Sequence, residues 1–325
     1  MLLLVGGRGV AQSVAQSVAQ SVAQPVAEPV AQPRWIPDSV EFLGDVPYAG
    51  TDNPRQKLDL LLPRSESNDP LPVVVFIHGG AWFAGDKRAD LRQALPYAES
   101  GQYAAASIGY RLSGEAKWPA QIHDCKAAIR WLRANAPQYR LDPQRIGVVG
   151  ASAGGHLAAV LGTSGDVEAM EGTIGPHVDA ASRVACVVDL FGPTDFLQMN
   201  RTALAGARFD HDSPDAPGAL LIGGPIQDNK EKVAAANPMT YVTPDDAPFL
   251  IVHGTRDPLV PFNQSELLHQ ALRQVQATST LITIEGAGHG QGFPAEVRQM
   301  TRRFFDHHLR GLRSEWKDET LPAAK

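Results

Sequence analysis

Residues 39–49 (SVEFLGDVPYA) and 56–63 (QKLDLLLP) alternate apolar and polar positions, as strands with one face toward solvent do. Beyond them the pattern changes to continuous apolar runs. These are LPVVVFIHGG at 71–80, YAAASIGYR at 103–111, RIGVVGAS at 145–152, RVACVVDLFG at 183–192, PFLIVHGT at 248–255 and TSTLITIEG at 278–286. Such short β-rich runs suit parallel strands buried on both faces. Between them lie helical periods. PAQIHDCKAAIRWLRANA at 119–136 repeats Ile122, Cys125, Ile129 and Leu132 on one side. PAEVRQMTRRFFDHHLRG at 294–311 starts with Pro, ends with Gly and aligns Val297, Met300, Phe304 and Leu309. Two half-exposed strands followed by strand–helix repeats predict a doubly wound α/β sheet with its ligand site at the carboxyl ends of the strands.

Two segments break the rhythm. Residues 196–240 are rich in Gly, Pro, Asp and Asn and predict an excursion above the sheet, a small cap without regular structure. Residues 10–33 are six copies of a four-residue unit, V-A-Q-S three times and then V-A-Q-P, V-A-E-P and V-A-Q-P. That tract lacks large apolar side chains, so residues 1–37 are expected to be a low-complexity segment and 38–325 the folded domain. The apolar residues 2–5 and the small residues of each S-V-A-Q suggest a shortened export signal plus linker, hence a secreted or periplasmic protein; a cytoplasmic protein with an inert repeat is the alternative. N-terminal sequencing of the protein from its native host distinguishes them.

With 325 residues, 43% of them hydrophobic, the chain can bury a large core. A net charge of −6 without any Lys/Arg-rich run speaks against nucleic acid, and no apolar stretch is long enough to span a membrane as a helix. Cys125 and Cys186 are too few for a disulfide framework and form no C-x-x-C; two free, buried thiols are expected, with a bridge between them as the alternative. No residue pattern signals a metal or an organic cofactor.

Four patches carry candidate chemistry. Gly150-Ala151-Ser152-Ala153-Gly154 follows a buried strand and opens a helix, the setting in which a tight turn exposes a serine nucleophile. His78-Gly79-Gly80-Ala81-Trp82 ends another strand, where glycines let backbone N–H groups approach a developing oxyanion. PFLIVHGTRDPLVP delivers Asp257 and LITIEGAGHGQGF delivers His289, each just past a strand. The order Ser152, Asp257, His289 is that of a nucleophile, an orienting acid and a base on an α/β-hydrolase sheet. Asp195 is a rival for the acid, since it too follows a strand end. His156 is expected in the core beneath the turn, His123 on a helix, and His307 and His308 as solvated surface groups. Trp82, Phe83 and Trp118 are candidate pocket walls, with ordinary core aromatics as the competing reading.

Together H-G-G-A-W at 78–82, residues 109–155, DLFGPTDF at 189–196 and residues 237–261 resemble the α/β-hydrolase superfamily over about residues 40–312. The resemblance is to its hormone-sensitive-lipase-like and bacterial feruloyl/acetylxylan-esterase-like branch. It implies a mostly parallel eight-stranded sheet flanked by helices with a small cap insertion. It also implies carboxylic-ester hydrolysis, with Ser152 acylated, His289 as base, Asp257 as orienter and the oxyanion held by N–H groups of Gly80, Ala81 and Ala153. Ala81 stands where the lipase-like branch has a third glycine, and SGEAKW at 113–118 replaces its usual Pro/Glu-rich turn. Both departures point toward the bacterial feruloyl/acetylxylan-type esterases, and that resemblance implies small acyl groups on plant polysaccharide as substrates, so the expected partner is a small-molecule or carbohydrate-linked ester. A peptidase or a lactone or amide hydrolase could use the same triad, and a non-catalytic binding protein would be expected to lose one of its members.

Overall fold

The computed structural model describes residues 31–65, 67 and 69–324. The export reading and most of the four-residue repeat lie outside them.

The strands are β1 (Val40–Pro47), β2 (Lys57–Pro63), β3 (Leu71–Ile77), β4 (Ala104–Ile108), β5 (Leu141–Ala151), β6 (Cys186–Leu190), β7 (Phe249–Gly254), β8 (Ser279–Glu285) and β9 (Glu319–Pro322). They form one sheet in the order β1-β2-β4-β3-β5-β6-β7-β8-β9. β1 and β2 are antiparallel to each other, β2 is antiparallel to β4, and β3 through β9 are parallel. All six continuous apolar runs therefore became parallel strands. The ninth strand was not foreseen in the eight-stranded expectation. Its four residues are mostly exposed, and an exposed E-T-L-P carries no hydrophobic signal.

Alternation along the strands splits the core into two layers. Val73, Val75 and Ile77 of β3 face one way, with helices α2 (Ala120–Ala134), α3 (Ala153–Thr163) and α8 (Asn263–Gln274). Val74 and Phe76 face the other, with α1 (Leu91–Glu99) and α9 (Ala295–Arg310). The buried stripe of α9, Val297, Met300, Phe304, Phe305 and Leu309, stabilises this second layer by about 1.5–3 kcal/mol per side chain. Cys125 belongs to the first layer and Cys186 to the second; both are buried and free.

The chain end corrects one expectation. After α9 it folds back to β9 and lays Trp316 on Phe304, with ring centroids 5.2 Å apart. His308 packs against Phe304 at 4.4 Å and burial lowers its pKa to about 4. His307 and His308 are thus half-buried rather than solvated.

The four-residue α4 (Glu168–Glu171) precedes β6, and between β6 and β7 the excursion contains three short α-helices, α5 (Phe196–Thr202), α6 (Pro217–Ile222) and α7 (Lys230–Ala236), with 3-10 turns at Ile226–Asp228 and Pro238–Tyr241. The residues that broke the sequence pattern punctuate it. Asp195 caps α5 by accepting from Leu197 N at 3.1 Å, Pro217 opens α6 and Gly223 closes it in the left-handed region.

The strand order turns at β3, which has β4 on one side and β5 on the other, with Ile77 beside Gly150. A crevice is expected where the order reverses. Here it brings the loop after β3 next to the turn after β5.

Candidate active site

Ser152 joins β5 to α3 with φ 57° and ψ −121°, a conformation that costs an L-residue on the order of 1–3 kcal/mol. The flanking glycines make that turn possible. A Cβ on Gly150 would stand 2.1 Å from Gly154 O, and one on Gly154 would stand 1.9 Å from Ile77 O. The turn is also tied to the sheet, with Ser152 N donating to Leu190 O at 2.9 Å. Ala153 is the first residue of α3, so its N–H has no intrahelical acceptor and points out with the helix dipole.

The loop after β3 is strained in the same way, with positive φ at Gly80 (117°), Ala81 (52°) and Trp82 (60°). Neither Gly80 N–H nor Ala81 N–H donates to a protein acceptor among the described residues. Packing holds the loop. The Trp82 indole N–H donates to His156 Nδ1 at 3.3 Å, and the Trp82 ring lies 5.4 Å from Phe196. His156 Nε2–H in turn donates to Ala236 O at 2.6 Å, which leaves Nδ1 as the acceptor. Burial lowers the His156 pKa to about 4 against the effect of that carbonyl, so the ring is neutral. His156 is a fully buried strut between the loop and the excursion, as its core placement implied.

Asp257 lies in the loop after β7. Its Oδ1 accepts from Leu259 N (2.8 Å) and Val260 N (2.9 Å), and its Oδ2 lies 2.6 Å from His289 Nδ1. Burial pushes the carboxyl up, but the hydrogen bonds and charges of His253 and His289 outweigh it and hold Asp257 below the usual carboxylate range. His289 sits in the glycine-rich loop after β8, and the Phe191 ring lies 4.5 Å from its imidazole. The rival Asp195 is occupied elsewhere, accepting from Leu197 N and from Gln198 Nε2 at 2.7 Å.

One cavity of about 500 Å³ unites these parts: Ser152, His289, Gly80, Ala81 and Ala153 all line it. Asp257 stands behind His289, outside the wall. Trp82 and Phe83 line the cavity, Phe83 half-exposed at 46%. Trp118 does not. Its indole donates to Ala235 O at 3.0 Å and its ring packs 5.3 Å from His156, which makes it a support behind the wall and corrects its reading as a wall residue. The excursion contributes Phe196, Met199, Arg208, Phe209, His211 and Ile226. Phe196 closes the DLFGPTDF motif, and no period or motif marked the other five. Arg208 is the one Lys, Arg, Asp or Glu among the described lining residues, and it has no side-chain partner among the described residues.

Comparisons with known proteins bear on the family and the fold. Residues 58–272 match the family model BD-FAE. The chain is 32% identical over 240 residues to esterase LipC of Mycobacterium tuberculosis, covering 74% of this chain and 58% of that protein. It thus spans little more than half the length of the curated mycobacterial relatives it matches. Among solved structures, a truncated form of a carbohydrate esterase from gut microbiota superposes with a TM-score of 0.76 at 33% identity, over 83% of this chain and 96% of that one. A bifunctional GH43-CE protein of Bacteroides eggerthii also gives 0.76, at 36% identity over 84% of this chain and 36% of that one. The chain belongs to the BD-FAE family, on an α/β-hydrolase fold.

Proposed function

We propose that the protein is a carboxylesterase that works through a Ser152–His289–Asp257 triad and an acyl-enzyme intermediate. The observation that carries this reading is the 2.6 Å contact of His289 Nδ1 with Asp257 Oδ2, in a ring that shares one cavity with Ser152. A carboxylate can only accept, so the proton of His289 sits on Nδ1 and the Nε2 lone pair is left to act as base.

The steps follow. Nε2 takes the Ser152 hydroxyl proton as Oγ bonds to the ester carbonyl carbon. The carbonyl π pair moves to oxygen, and N–H groups of Gly80, Ala81 and Ala153 stabilise that oxyanion, each by about 3–4 kcal/mol. Collapse of the adduct expels the alcohol, which takes the proton back from Nε2. Water then repeats the sequence on the acyl-serine and releases the acid. Strained backbone at 80–82 and at Ser152 is what presents these groups without reorganisation during the reaction.

The substrates we assign are small acyl esters, among them acetyl or feruloyl esters of plant polysaccharide. Two structural relatives, a carbohydrate esterase from gut microbiota and a GH43-CE protein, support the carbohydrate part. The acyl part is supported by a cavity of about 500 Å³ with Phe83, Phe191, Phe196 and Phe209 in its wall. The test is a panel of acetyl, butyryl, octanoyl and feruloyl esters assayed with wild type and Ser152→Ala. Wild type should hydrolyse the shorter or the aromatic members, and Ser152→Ala should fall by about 10⁶-fold. A folded wild type without activity on any ester, or an active Ser152→Ala, overturns the reading.

A further inference from the structure

His253 is the penultimate residue of the buried strand β7, and the reaction sequence above does not use it. Its ring is fully buried. Nε2 lies 3.2 Å from Asp257 Oδ2 and 3.0 Å from Val260 O, while Nδ1 lies 2.7 Å from Ser265 Oγ on α8. Both oxygens at Nε2 can only accept, so Nε2 must carry a proton. The Ser265 hydroxyl can then donate to Nδ1. The two acceptors at Nε2 thus set the tautomer in which His253 is a donor toward the carboxylate, and Ser265 holds the ring in that orientation from its other nitrogen.

We propose that His253, oriented by Ser265, is a positioning residue for the ester reaction: it donates to Asp257 Oδ2, the same oxygen that receives His289 Nδ1–H. The proposal rests on the triad reading above. Two backbone N–H groups fix Oδ1, and without His253 the other oxygen would be fixed by His289 alone, a ring in a surface loop that must itself be oriented. His253 supplies the reference from the inside of the sheet. It also divides the charge of Oδ2 between two donors, which limits how strongly the carboxylate stabilises an imidazolium at His289.

The sign of the effect follows. The ionisable groups acting on Asp257 are His253 and His289. The neighbouring elements turn uncharged groups toward His253: Ser265 from α8, Phe262 at 5.7 Å and Phe191 at 6.3 Å. Removing the His253 donor leaves His289 as the one donor to Oδ2 of a buried carboxylate. The imidazolium becomes easier to form, and the acidic limb of the activity profile moves to higher pH.

The experiment is the pH profile of kcat and kcat/KM on p-nitrophenyl butyrate for wild type, His253→Phe, His253→Gln, Ser265→Ala and Ser152→Ala. His253→Phe should lose about 10–100-fold in kcat at unchanged KM. Its acidic limb should rise by about half a pH unit. Gln can present an N–H to Oδ2 and should restore most of both. Ser265→Ala should shift the limb the same way by less. A buried substitution that only loosened packing would lower the active fraction without moving the limb; an unmoved limb in both His253→Phe and Ser265→Ala overturns the proposal. If His253→Phe does not fold, Ser265→Ala decides alone. An active Ser152→Ala would instead sink the triad reading, so the two failures are distinguishable.

Discussion

Two buried aspartates at neighbouring strand ends, Asp189 on β6 and Asp257 after β7, are held by opposite means. Asp189 lies under the serine turn, where a Cβ on Gly155 would stand 2.4 Å from its Oδ1. It receives one hydrogen bond, from Gly192 N at 2.9 Å, and its Oδ2 has no partner. Burial pushes its pKa up to about 7, with the Gly192 bond pulling the other way. Asp257 is also buried, yet four donors surround it: Leu259 N, Val260 N, His253 and His289. Its pKa falls. The side of the proposed nucleophile is therefore set by backbone sterics and close packing, the side of the proposed acid by hydrogen bonds. Each side should fail in its own way.

The largest effect is expected from the steric side. Gly154→Ala places a methyl 1.9 Å from Ile77 O, backbone that cannot rotate away. Activity on p-nitrophenyl butyrate should drop to the level of Ser152→Ala, and urea midpoints should show a loss of about 3 kcal/mol. Wild-type turnover in Gly154→Ala would mean the turn is not sterically set. Next comes Asp257→Asn, which keeps shape but lets an amide face His289 Nδ1 and favours the wrong tautomer. A loss of about 10⁴-fold in kcat at unchanged stability is expected. Asp195→Asn, where Asn caps α5 as well as Asp does, should stay within a few-fold of wild type. The reverse ranking would move the acid to Asp195.

Asp189 gives a third effect, read in stability rather than in turnover. Its folded pKa, about 7, lies above the ordinary 3.8. The folded state thus holds a proton that the unfolded chain releases from about pH 4 upward, and stability falls as pH rises through that window. The whole gap corresponds to on the order of 4 kcal/mol. Asp189→Asn cannot ionise, so its urea midpoint should be flatter between pH 4 and pH 7, with the advantage over wild type growing toward pH 7. A wild-type slope preserved in Asp189→Asn would show that Asp189 is not the group responsible.

The same contrast explains what the sequence disclosed. Steric requirements are written as glycines, and Gly150, Gly154 and Gly80 could be read directly. Continuous apolar runs located the parallel strands, and the strand ends then supplied Ser152, Asp257 and His289 in order. Hydrogen-bond requirements leave weaker traces. His253 stands in a buried run as one polar letter, and its partner Ser265 is on the following helix, so nothing local links them. Trp118 looked like a wall because its distance from the cavity depends on where α7 brings Ala235. His308 looked solvated because the chain beyond Gly311 returns over α9, and an exposed four-residue strand does not announce that return. The excursion was recognised by its composition, while its short helices depend on caps and a proline start rather than on a helical period.

The excursion also supplies the smallest predicted effect. Arg208 reaches the cavity wall on a backbone tied to the acid loop by Arg208 N to Pro258 O at 2.9 Å, while its guanidinium has no partner among the described residues. Neither the steric nor the hydrogen-bonded half of the triad depends on that side chain. Arg208→Ala should therefore leave kcat/KM for p-nitrophenyl acetate within about 2-fold, because a small acyl group on an apolar alcohol has nothing for the guanidinium to meet. For a feruloyl ester of an arabinose or xylose unit, whose hydroxyls can accept from a guanidinium, KM should rise by about 3–10-fold at unchanged kcat. Equal losses on both substrates would place Arg208 in support of the acid loop, and the division between a rigid catalytic floor and a substrate-reading excursion would not hold.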